Sequence, residues 1–94
     1  RWPDSRLTWF ALGNAQAAQG DWSAAQASFQ QSVALDGDWL PAVNNLVSTW
    51  LELGCRARAA PWIARLRRAT ADYAQQTVAD YETAPAEANC QLAP

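Results

Sequence analysis

Apolar residues return along this chain at the three- and four-residue spacing of one helix face, and turn-forming residues interrupt them at near-regular intervals. The first run reaches about Ala18, is capped by Asp4 or Ser5, and ends at Gly20, where a left-handed residue is cheapest as glycine. Asp21 or Ser23 caps a second run with Trp22, Ala25, Phe29 and Val33 on one face, broken by Gly37 and Asp38. A third run has Pro41 in its first turn, carries Val43, Leu46, Val47, Trp50 and Leu53, and stops at Gly54. A fourth has Pro61 early and bears Trp62, Ile63 and Leu66. Tyr73, Thr77 and Tyr81 then continue a helical stripe. No Gly or Pro intervenes before Pro85, so one long helix is an alternative. The adopted reading is a separate helix over 72–83, capped by Thr70 or Asp72, with 85–94 as an extended tail. Few stretches alternate with period two, so strands are not expected, and the short turns make consecutive helices antiparallel.

The pattern also repeats as a whole. When the chain is displaced so that Gly20 falls on Gly54, Trp9, Leu12, Gly13 and Gln16 fall on Val43, Leu46, Val47 and Trp50. The same displacement sets Ala25 on Ala59 and Phe29 on Ile63. With Trp9-x2-Leu12-Gly13 followed by Ala25-x3-Phe29, this period resembles the tetratricopeptide repeat family. The resemblance implies an all-α fold: antiparallel helix pairs in a short right-handed solenoid with a C-terminal capping helix. One repeat spans about 6–39 and the next about 40–73, and the helix over 72–83 covers the apolar surface that a solenoid end exposes. The chain departs from the family pattern in three places. Gln16 stands where an aromatic is usual, Val47 replaces the small residue that lets paired helices approach closely, and Gly37 sits where Pro is common.

The resemblance also implies a role. Such arrays are non-catalytic protein–protein interaction scaffolds, whose first helices line a concave groove for a peptide or partner helix. The groove positions are Phe10, Asn14 and Ala17 in the first unit and Asn44, Asn45, Ser48 and Glu52 in the second. Asn14 and Asn45 stand where some members carry two Asn that hold an extended backbone, and a side-chain amide donates and accepts at once. Phe10 takes the place of one basic group of the carboxylate clamp, and the chain has no Lys, so an internal segment fits better than a C-terminus. The plain alternative is that Asn44 and Asn45 merely belong to a helix turn. A narrower resemblance, over "ALDGDWLPAVNNLVSTWLELGC", is to C-terminal tetratricopeptide segments attached to papain-fold peptidase-like domains of bacterial envelope proteins. It implies an accessory domain packed on the catalytic domain of its own longer chain. The end of a short solenoid also offers a surface to a second copy.

Composition narrows the field. The 94 residues make one small domain, and a chain that begins at Arg1 and contains no Met reads as part of a longer protein. Seven Arg against nine acids give a net charge of −2, which argues against nucleic acid. Arg56, Arg58, Arg65, Arg67 and Arg68 fall in one block, which meets an anionic partner or forms a solvated face partly neutralised by Asp72, Asp80 and Glu82. No apolar run approaches ~18 residues, so direct membrane insertion is not expected. Without His, a Gly-rich phosphate loop or a cluster of metal ligands, no catalytic residue, metal or cofactor is assigned. Of six Trp, Trp9, Trp50 and Trp62 are expected in the core. Trp2, Trp22 and Trp39, near helix starts, pack at corners or meet a neighbour.

Two cysteines remain, Cys55 in the turn after Gly54 and Cys90 in the tail. One reading is a disulfide pinning the tail to the second repeat, worth roughly 3–4 kcal/mol by loop closure and implying a periplasmic or envelope location. The other is two free thiols in a cytoplasmic protein.

Overall fold

The structure is a computed structural model that describes residues 5–85 and 90–92. The expectations placed on Trp2 and Asp4 lie outside the described residues. Five helices follow in order: α1 (Arg6–Ala18), α2 (Trp22–Leu35), α3 (Leu40–Glu52), α4 (Arg56–Arg68) and α5 (Asp72–Thr83). The fold is all-α, with no strand among the described residues. Each helix packs on its successor, and α3 also packs on α5.

The sequence period reappears in the backbone. The displacement that carries Gly20 onto Gly54 also carries Arg6 and Ala18, the bounds of α1, onto Leu40 and Glu52, the bounds of α3. It carries Trp22, the start of α2, onto Arg56, the start of α4. The ends of α1 and α3 match bond for bond. Gly20 and Gly54 have φ of 78° and 77°. Gly20 N donates to Ala17 O and Asp21 N to Gln16 O, both at 2.9 Å. In the second unit Gly54 N donates to Leu51 O at 3.1 Å and Cys55 N to Trp50 O at 2.8 Å. These paired closures satisfy carbonyls that a helix C-terminus otherwise leaves open.

The starts differ from helix to helix. Ser5 caps α1, accepting from Leu7 N at 3.1 Å, and Asp21 caps α2, accepting from Ala24 N at 3.2 Å. Trp39 precedes α3 without a side-chain cap, and Pro41 sits in the first turn as expected. Pro61 is not in the first turn of α4: it lies inside the helix at an exposed position, where it cannot make the intrahelical N–H bond back to Ala57 O. Neither Thr70 nor Asp72 caps α5, which follows Ala71. The separation of α4 from α5 comes instead from Ala69 and Ala71, both extended, with Gln75 Nε2 donating to Ala69 O at 2.6 Å. Arg65, Arg67 and Arg68 in the last turn of α4 complement the negative end of its dipole.

The core runs through Ala25, Phe29, Val43, Leu46, Val47, Trp50, Ile63, Leu66 and Ala74. Burying each larger apolar side chain is worth about 1.5–3 kcal/mol. Trp50 is in this core and Trp62 packs against it, but Trp9 is only half-buried outside it, and Leu12 is 42 % exposed. On α5 the buried stripe is Ala74, Thr77 and Val78, with Tyr81 packed beside it; Tyr73 points outward. Gly13 is buried under Phe29, where an added Cβ would sit 2.6 Å from a ring carbon. That close approach lets α1 and α2 pack more extensively than α3 and α4, where Val47 and Ile63 occupy the equivalent places.

The tail returns to the end of α3. Cys55 and Cys90 lie at disulfide distance, with Cα atoms 4.6 Å apart. Gln91 N donates to Leu53 O at 3.0 Å, and Leu92 packs against the core. Among the described residues no helix is long and apolar enough to cross a membrane.

Candidate functional site

An open-sided cavity of about 180 Å³ lies where α1, α2 and α3 meet, lined by Asn14, Ala17, Trp22, Phe29, Asn45, Ser48 and Thr49. The helical period brings them together. Asn14 and Ala17 share a face of α1, while Asn45, Ser48 and Thr49 share a face of α3. Trp22 enters from the first turn of α2, directly after its cap. Phe29 reaches the floor because Gly13 leaves it room.

The two first helices are bridged here. Asn45 Nδ2 donates to Asn14 Oδ1 at 2.9 Å, and Asn44 Nδ2 donates to Asn45 Oδ1 at 3.3 Å. The amide chain thus runs from buried Asn44 to exposed Asn14. It leaves the Asn14 amide hydrogens and the second Asn45 amide hydrogen for a ligand acceptor. Thr49 Oγ1 donates to Asn45 O at 2.7 Å, which uses its proton within α3.

Of the expected groove residues, Asn14, Ala17, Asn45 and Ser48 share this cavity, and Phe10, Asn44 and Glu52 are not among those that line it. Phe10 packs between Phe29 and Trp39, at centroid separations of 5.9 Å and 4.8 Å. Asn44 is 7 % exposed, and its Oδ1 has no hydrogen-bond partner among the described residues. Glu52 is exposed at the last position of α3. Phe29 and Thr49 line the cavity without having been expected there, and Trp22, expected at a corner or against a neighbour, lines it too. The signal for Trp22 was its place beside the cap; the signal for Phe29 was its pairing with Gly13.

The Arg block is largely engaged by the chain itself. The Arg56 guanidinium lies 4.0 Å above the Tyr81 ring while its Nε donates to Tyr81 O at 2.9 Å. Arg65 donates to Gly37 O and sits 5.3 Å from the Trp62 ring centroid, and Arg67 pairs with Glu82 at 2.9 Å. Trp39 is covered on one face by Arg6, which also pairs with Asp36. No family model, no curated protein and no solved structure matches this chain.

Proposed function

We propose that this chain is a non-catalytic interaction module of the tetratricopeptide kind that holds an extended peptide segment in the groove between α1 and α3. The observation that carries the reading is the Asn14–Asn45 bridge at the edge of an open cavity with an aromatic floor. The amides supply donors for backbone carbonyls, and Trp22 with Phe29 supplies an apolar seat for one side chain. The groove lining carries no formal charge, which suits an internal, neutral stretch rather than a carboxylate terminus. The cysteine pair supports an oxidising compartment, a bacterial periplasm or envelope on this reading.

The test is capture of binding segments from a random peptide library, followed by titration against wild type and Asn14→Ala/Asn45→Ala. Loss of two amide anchors is expected to weaken a selected peptide about 10-fold or more. Equal affinity in the folded double mutant rejects the groove as the site.

A further inference from the structure

Asn44 is a polar residue in the packed part of α3. Val43, Leu46 and Val47, on either side of it in the helix, are 0–2 % exposed, and Asn44 itself is 7 % exposed. Its Oδ1 is buried and accepts no hydrogen bond among the described residues. A buried acceptor without a donor costs stability, and an apolar side chain in that place would remove the cost. Such a group calls for an account in terms of what the rest of its side chain does. Here the rest makes one contact: Nδ2 donates to Asn45 Oδ1 at 3.3 Å. Asn45 Nδ2 then donates to Asn14 Oδ1 at 2.9 Å, at the edge of a cavity that Asn44 does not itself line.

The two bonds run in one direction. An asparagine amide has ends that are alike in shape and opposite in hydrogen bonding, so an unheld Asn45 can present either end to Asn14. With the Asn44 donor on its oxygen, Asn45 has its nitrogen left for Asn14. Asn14 then receives at Oδ1, and both of its amide hydrogens stay free for a ligand acceptor. The opposite order would use an Asn14 hydrogen inside the protein and leave the Asn14 oxygen facing the ligand. We propose that Asn44 is the positioning residue of the groove. It touches no ligand; from inside the packed helix it holds Asn45, and through it Asn14, as donors, so that this edge reads a backbone carbonyl and not a backbone N–H. The proposal rests on the groove reading above and adds the residue that decides its polarity.

The experiment is a mutant cycle on the 94-residue chain, read by titration of a peptide selected on wild type from the random library, with the helicity of each variant checked first. Asn44→Leu keeps the branched shape without the polar atoms. It is expected to weaken the peptide roughly 3- to 10-fold, the worth of one neutral hydrogen bond. Asn44→Ala adds no bulk and is expected to do the same, which sets an effect of overpacking apart. Added to Asn14→Ala/Asn45→Ala, either Asn44 substitution is expected to change the affinity no further, because the groups through which Asn44 acts are gone. A residue that serves the fold alone would weaken binding by the same factor in both backgrounds, and that result overturns the proposal. So does unchanged affinity in the folded Asn44 variants; if Asn14→Ala/Asn45→Ala still loses the peptide, the groove reading stands and only the role of Asn44 falls. If the double mutant keeps the peptide, both fall.

Discussion

Gly13 and Phe29 divide one volume between them. A methyl at Gly13 meets three ring carbons within 3 Å, and Phe29 is 1 % exposed, so the ring must shift to admit it. Gly13→Ala is therefore expected to lower stability by about 1–3 kcal/mol, read as a lower urea midpoint at unchanged slope. Adding Phe29→Leu should recover part of that loss, because contacting residues are non-additive. Both positions were legible in the sequence, Gly13 as the small residue where paired helices approach and Phe29 as a large one on the next helix, but their contact comes from the structure. The roles of the neighbouring amides were not legible. Asn44 and Asn45 are chemically identical, and about 100° of helix rotation alone decides that one is buried and the other lies on the cavity. The packing of Phe10 was hidden for a related reason. An aromatic on a groove position also finds Phe29 and Trp39 within reach, and two ring contacts outweigh exposure to water.

Among the helices, the ends at Gly20 and Gly54 were readable, since the left-handed turn that closes them needs glycine. A Cβ at Gly20 meets nothing within 4 Å, so Gly20→Ala isolates the backbone term. It is expected to cost about 1–2 kcal/mol in thermal or urea unfolding, without loss of the groove bridge. The break between α4 and α5 falls where the pattern puts it, but its cause was not legible. No residue there forbids a helix; the turn is held by Gln75 bonding back to Ala69 and by Arg56 anchoring Tyr81. One is a side chain bonding back across the turn and the other joins residues 25 apart, and helix propensity registers neither. The same applies to the stripe on α5. Its burial is decided by α3 and α4, which take Ala74, Thr77 and Val78 and leave Tyr73 outside.

The molecule has two unlike ends. One presents Leu7 and Leu12 of α1 to solvent; the other carries α5 and the tail that reaches back to Leu53. The cysteine pair joins positions 35 residues apart, so its bond is expected to contribute roughly 3–4 kcal/mol by restricting the unfolded chain. Intact mass is expected to show no free thiol, and reduction to lower the urea midpoint by the corresponding amount. Finding two thiols in the native protein would remove this contribution and the argument for an oxidising compartment. A closed Cys55–Cys90 bond also determines how the domain bears tension. Force applied to the chain termini passes along α1, α2 and α3 to Cys55 and then directly to Cys90. Helices α4 and α5 lie in a side loop, outside the loaded path. The 35 bridged positions withhold about 120 Å of extension, so α4 and α5 lengthen the chain under load only once that bond is broken.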